Sequence, residues 1–299
     1  MSSYTNIYIM LDLQKVTELE RKAAQSRRDI LRMVHSAQSG HPGGSLGCAD
    51  FMTALFSEVM QSPAGKFTSD GSFRVDGKGN DMFFLSNGHI TPCLYSCLAR
   101  AGYFDVKELA SFRRLGSKLQ GHPSVHSGLP GIHVASGSLG QGTSVAIGAA
   151  EAKKLNHDNS LVYVLTGDGE LEEGQNWEAF MYAGAKKVDN LIVTVDYNKK
   201  QIDGSTDDVM NLLDLNAKFT SFGFEVFEGN GNNMAELLTI LELCREACGK
   251  QHPVAFLMHT EMGYGVDFMM GTHKWHGTPP NDEQFAKAMA QLEETIGDY

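Results

Sequence analysis

No stretch of the 299 residues reaches the roughly 18 consecutive apolar residues of a membrane span, and the amino terminus lacks the basic region, apolar core and small-residue cleavage site of a secretory leader. The expectation is a soluble, cytoplasmic protein with no membrane partner. Basic charge is scarce: 25 Lys and Arg stand against 36 Asp and Glu, a net charge of −11, and no basic cluster is dense enough to track a phosphate backbone. No nucleic acid partner is expected. CxxC knuckles are absent too. The five cysteines include two pairs spaced four apart, Cys93/Cys97 and Cys244/Cys248, which would share a helix face. Zinc-binding thiolates come in tighter spacings, so these read as small buried hydrophobes in a reducing compartment. No linker or internal repeat divides the chain, and residues 1–299 read as one domain with 1–14 as an N-terminal extension.

What is present is an alternation of helical and strand patterns. Leu19, Ala23, Ile30, Val34 and Ala37 recur at helical spacing over residues 15–39, and Leu46, Ala49, Phe51, Leu55, Phe56 and Val59 do so from Leu46 to Met60. Turn signals crowd 62–80 and predict a surface excursion. Strands are predicted at Met82–Leu85, Leu161–Leu165, Leu191–Val195, Gly223–Phe227 and Val254–Met258. Helices are predicted up to about Ala101, over Thr143–Leu155, Glu173–Lys187 and Met234–Cys248, with a glycine-rich loop over 117–143. Alternating β and α elements of this kind give an α/β fold, a parallel sheet with helices on both faces.

Gly167-Asp168-Gly169 falls just past the second strand, and Asn198 follows Asp168 by 30 residues, just past the third. Ligands of parallel α/β sheets bind at those strand ends. Asp168 and Asn198 would supply two hard oxygen ligands to Mg²⁺ or Ca²⁺, with diphosphate oxygens, a backbone carbonyl and water completing the shell. The flanking glycines let backbone approach phosphate. Gly137-Ser-Leu-Gly-Gln-Gly142 precedes a helix but lacks the GxGxxG spacing and the strand directly before it, so it is a poor dinucleotide fingerprint. Glu170 and Glu172 read as acidic residues favouring the positive end of the following helix.

The order strand, GDG, helix, strand, Asn resembles the thiamine diphosphate (ThDP) fingerprint. SGHPGG (39–44), SNGH (86–89), GHP (121–123), GSLGQG (137–142), GDGELEEG (167–174), DYNKKQIDG (196–204) and GTHKWHG (271–277) together resemble, in order, the diphosphate-binding half of a transketolase. The resemblance covers about residues 20–290 and implies a ThDP-binding fold. It implies that Asp168, Asn198 and the backbone carbonyl of Lys200 hold the metal, and that Gly169, Gly137 and Leu139 line the diphosphate and the middle of the cofactor. Glu173 matches an acidic residue of the family's dimer contact and would join a carboxylate link between active sites. His41, His89, His122 and His273 match four active-site histidines; the other seven, His276 among them, are left as structural or unassigned.

Imidazole suits these places because ketol transfer moves protons at hydroxyl and carbonyl oxygens near neutral pH. By the resemblance, His122 would hold the donor's C1 hydroxyl, His41 and His273 would act at the acceptor carbonyl, and His89 would position the diphosphate end. The family also needs a second domain that clamps the aminopyrimidine ring, and no second α/β series follows here. The expectation is therefore the N-terminal subunit of a split transketolase, acting on sugars or sugar phosphates only with a separate C-terminal subunit, in a heterotetramer with two copies of each chain. The α subunit of a 2-oxo acid dehydrogenase, a ketol transferase for a sulfonated or other unusual sugar, and a non-catalytic ThDP-binding scaffold stay open as alternatives.

Overall fold

The structure, a computed structural model, describes residues 12–61 and 79–299; the turn-rich segment 62–78 and residues 1–11 of the N-terminal extension lie outside the described residues. Helix α1 (Leu13–Ala37) opens on Asp12, whose carboxylate caps the Gln14 amide at 2.9 Å, and closes on Gln38 in the left-handed conformation (φ 46°). Two short helices follow, α2 (Pro42–Gly47) and α3 (Ala49–Ala54), then a wide turn over Leu55–Val59. The single helix expected from Leu46 is thus broken at Cys48 (φ −88°, ψ 2°), and it begins earlier, inside SGHPGG, because Pro42 at the first turn is already set for helix.

Strand β1 (Met82–Leu85) leads through a short turn to α4 (Thr91–Arg100), and a long loop runs to α5 (Gln141–Leu155). Strand β2 (Val162–Gly167), α6 (Gly174–Ala185) and β3 (Leu191–Tyr197) come next. A small hairpin, β4 (Lys200–Gln201) with β5 (Gly204–Ser205), and the helices α7 (Thr206–Val209) and α8 (Leu215–Ser221) were not anticipated. The chain then forms β6 (Glu225–Asn230), α9 (Met234–Ala247), β7 (Val254–His259) and, also unanticipated, α10 (Asp282–Gln291) with an Asn281/Gln284 capping box.

The main sheet has the order β1-β2-β3-β7-β6, every pair parallel. Period-two alternation sorts its side chains. Phe83, Tyr163, Leu165, Ile192 and Phe256 pack in one cluster with residues of α1, α3, α4 and α9, while Phe84, Val162, Val164, Val193 and Leu257 pack in another with residues of α5, α6 and α8. With both faces covered, the runs of β1, β2, β3 and β7 are nearly continuously apolar, as in other parallel sheets, while the edge strand β6 carries Glu225 and Glu228. No helix among the described residues is long and apolar enough to cross a membrane.

Two polar ties fix where α2 sits relative to the sheet. Buried Arg27 of α1 pairs with Asp50 of α3 and donates to the Leu46 carbonyl at 3.2 Å. Asn232, just past β6, donates to the Gly47 carbonyl at 2.9 Å and accepts from the Glu261 amide, just past β7, at 2.8 Å. The histidine before α2 is thereby held over the carboxyl ends of the strands.

Candidate active site

The carboxyl ends of β1, β2 and β3 open into a cavity of about 410 Å³, walled in part by His89, Leu139, Asp168, Glu173, Asn198 and Lys200. Asp168 lies at its floor with 1 % exposure. Its carboxylate accepts the Gly169 amide at 2.8 Å and the Lys199 amide, and no side-chain cation reaches it among the described hydrogen bonds and ion pairs. Burial, then the charge of neighbouring Asp196, pushes its pKa well above the carboxylate range. Asn198 faces the same floor: its Nδ2 donates to Asp196 at 2.9 Å and its Oδ1 accepts the Lys200 amide at 2.9 Å. Asp196, itself fully buried, is held by Thr260 from the end of β7.

These residues fit a divalent cation. Two carboxylates are buried side by side with only neutral donors among the described residues, a local excess of negative charge that a cation would relieve. Each Asp168 oxygen has one backbone donor and keeps acceptor capacity, as does the Asn198 carbonyl. Among the described residues no three His, Cys, Asp or Glu side chains gather as a metal cluster, so the donor set has to draw on amide and backbone oxygens and on the ligand.

Above this floor stand imidazoles. His41 and His89 have ring centroids 4.9 Å apart, His41 and His122 6.5 Å. The fourth ring is His276, 4.9 Å from His89 and 5.6 Å from His41 at 90°. His273 makes none of these ring contacts: it lies one turn earlier, its carbonyl accepting the His276 amide at 2.9 Å, and its charge acts on His276 from there. The structure thus brings together His41, His89 and His122 of the expected set and substitutes His276 for His273. Two histidines three apart in one loop carry the same sequence signal, and only the turn decides which ring points inward.

Burial holds all four rings as free bases. The His41 pKa is pushed down to about 4, first by burial and then by His276, Arg113 and His122. His89 goes well below the usual range by burial and then by His276 and the other imidazoles, while His122 and His276 are lowered by burial first. Each ring therefore offers one donor and one acceptor nitrogen at neutral pH. Several buried polar atoms around the site have no partner: His41 Nδ1, His276 Nδ1, Asn87 Oδ1, Ser136 Oγ and Glu172 Oε1. Orphans at this density mark a place where a polar ligand belongs.

Gly137 (φ +140°) runs against the His122 ring, where a Cβ would come within 2.8 Å of Cδ2. Leu139 lines the cavity with its carbonyl held by Gln175 at 3.0 Å, and Gly169 and the exposed Glu173 sit on the wall. Glu170 departs from the helix-dipole reading. It is 2 % exposed, and its carboxylate accepts the Ser86 hydroxyl at 2.5 Å, the Gly140 amide at 2.7 Å and the Gly167 amide at 3.1 Å. A larger cavity, about 560 Å³, opens by the amino ends of the strands. Its aspartates are already engaged, Asp158 with Lys153 at 2.9 Å, Asp189 with Lys154 at 2.7 Å and Asp81 with the Gln61 and Leu161 amides at 2.8 Å each.

Residues 20–295 match the family described as transketolase, thiamine diphosphate binding domain. The chain belongs to the transketolase family. This transketolase chain is 34 % identical over 282 residues to one of the named subunits of the apulose-4-phosphate transketolase of Phocaeicola vulgatus, covering 94 % of this chain and 96 % of the relative. It is 35 % identical to the 6-deoxy-6-sulfo-D-fructose transketolase subunit SqwG of a Clostridium species, covering 92 % and 96 %. A solved transketolase from Leishmania mexicana superposes with a TM-score of 0.82 at 32 % identity, over 94 % of this chain and 42 % of that one. The chain thus spans about two-fifths of the solved transketolase it matches and nearly all of the two relatives named as subunits.

Proposed function

We propose that the chain is the diphosphate-binding subunit of a split transketolase, a single ThDP-binding domain that transfers a two-carbon ketol unit from a ketose to an aldose together with a separate C-terminal subunit. The observation that carries this reading is the buried Asp168–Asn198 floor beneath four neutral imidazoles at the strand ends. Near-complete coverage of relatives that are themselves named as transketolase subunits supports the division into two chains. We further propose two copies of each chain, Glu173 at the contact between active sites, and, from five unpaired thiols, a reducing cytoplasmic setting.

Asp168, the Asn198 amide oxygen and the Lys200 carbonyl would hold Mg²⁺ or Ca²⁺ and through it the diphosphate, with Gly169, Gly137 and Leu139 beside the cofactor. ThDP, when bound, supplies the carbanion chemistry. The chain's own residues supply orientation and proton handling. His122 would hold the donor's C1 hydroxyl, and His89 the diphosphate end. His41 and His276 would give and take a proton at the acceptor's carbonyl oxygen, His276 in the part given to His273 by resemblance alone. A neutral ring is the competent state for taking that proton and for donating a hydrogen bond to the oxygen, and the ring that takes a proton is the one that gives it back.

Native mass spectrometry of the complex captured through a tag on this chain, with Mg²⁺ and ThDP, tests the reading. A second polypeptide in equal number, with about one ThDP per pair, is the expected result. This chain alone, without cofactor, would instead favour a scaffold.

A further inference from the structure

The three donors to the Glu170 carboxylate come from three different segments, and each is the immediate neighbour of a residue that walls the cavity. Ser86 precedes Asn87, Gly140 follows Leu139, and Gly167 precedes Asp168. The link continues through the Glu170 carbonyl, which accepts Asn176 Nδ2 at 2.8 Å, while Asn176 Oδ1 accepts the Thr143 hydroxyl at 2.7 Å. Packing leaves no slack around it, since a Cβ on Gly142 would lie 2.6 Å from the Ser86 Cα.

We propose that Glu170 is a positioning residue for the cofactor: its buried carboxylate locks the loop after β1, the end of β2 and the N-terminus of α5 into one arrangement, and so sets Asn87, Leu139 and Asp168 at once. This rests on the ThDP reading given above. It does so by accepting with both oxygens, Oε1 from Ser86 and Gly140 and Oε2 from Gly167. Glutamine has one acceptor oxygen and one donor amide, so whichever way its amide points, at least one of the Gly140 and Gly167 N–H groups meets another donor and is orphaned.

The test is calorimetric titration of ThDP, with Mg²⁺, into the complex of this chain and its partner subunit. It compares wild type, Glu170→Gln and the control Asn190→Ala, which removes a buried bond to the Ala150 carbonyl at the far end of α5. Glu170→Gln is expected to weaken ThDP binding on the order of tenfold, and Asn190→Ala to keep wild-type affinity despite a comparable loss of stability. Hydrogen exchange of the Gly140 or Gly167 amide should also quicken in Glu170→Gln without cofactor. Should Glu170→Gln fail to fold, Ser86→Ala, which leaves both amide bonds, is expected to weaken binding about threefold. Affinity within about twofold of wild type in the folded variant tested, or an equal loss in Asn190→Ala, overturns the inference alone. A wild-type complex that binds no ThDP overturns the functional reading and this inference with it.

Discussion

Gly43 donates its backbone N–H to the carbonyl of Trp275 at 3.0 Å, and the Gly43 carbonyl in turn accepts the Gly263 amide at 2.9 Å. These bonds dock the turn carrying His41 onto the segment carrying His276 and set the two rings edge to face. A Cβ at position 43 would meet Met262 Cγ at 2.6 Å and the Trp275 carbonyl oxygen at 2.8 Å. Gly43→Ala is therefore expected to cost about 1–3 kcal/mol in stability and to depress turnover further than that loss explains. Turnover that tracks stability alone would show that the contact does not align the histidines.

Asp168 buries a carboxylate that no side-chain cation among the described residues bonds, so its neutral isostere should not harm the unloaded fold. Asp168→Asn is expected to unfold at the same temperature as wild type or higher without metal, and to lose Mg²⁺-dependent ThDP binding. Unchanged cofactor affinity in a titration of this variant would refute the metal assignment.

The two histidines of GTHKWHG should separate cleanly. His276→Ala is expected to lower turnover in the assembled enzyme roughly a hundredfold and His273→Ala by less than about threefold, since only His276 stands among the rings. The reverse order would return the role to His273. His122→Ala should lose donor turnover while retaining ThDP, which a mere scaffold has no reason to show.

Acid should weaken the fold through its buried imidazoles. His41 and His133 are both pushed from 6.5 to about 4, chiefly by burial. Between those values the unfolded chain binds more protons than the folded one, so their contribution is complete above about pH 6.5 and declines as pH falls toward 4. The melting temperature should drop between pH 7 and pH 5, and His133→Asn, remote from the metal floor, should flatten part of that slope. An unchanged slope in His133→Asn would mean the ring is not the titrating group.

The legible parts of this protein were those written in local pattern. Apolar runs at 82–85, 161–165 and 191–195 announced β1, β2 and β3, and the Gly and Asp after Leu165 and the Asn after Val195 announced the polar strand ends that line the cavity, because period and strand-end position are properties of neighbouring residues. Less legible were α8 and α10, the first marked by little beyond an Asp214 cap and the second by a capping box. The break at Cys48 was hidden because helical spacing continues through it while the chain bends to pack Gly43 and Gly47 against the loop after β7.

By itself, then, the sequence determined a parallel α/β sheet, the Asp168–Asn198 floor and a set of candidate imidazoles. Only the tertiary structure decided that His276 rather than His273 joins the rings, and that Glu170 is a buried anchor rather than a helix-end charge. The physical reason is the same in both cases: identity and spacing state what a side chain can do, but which way a loop residue points, and which distant amides it meets, depends on close packing between segments far apart in the chain.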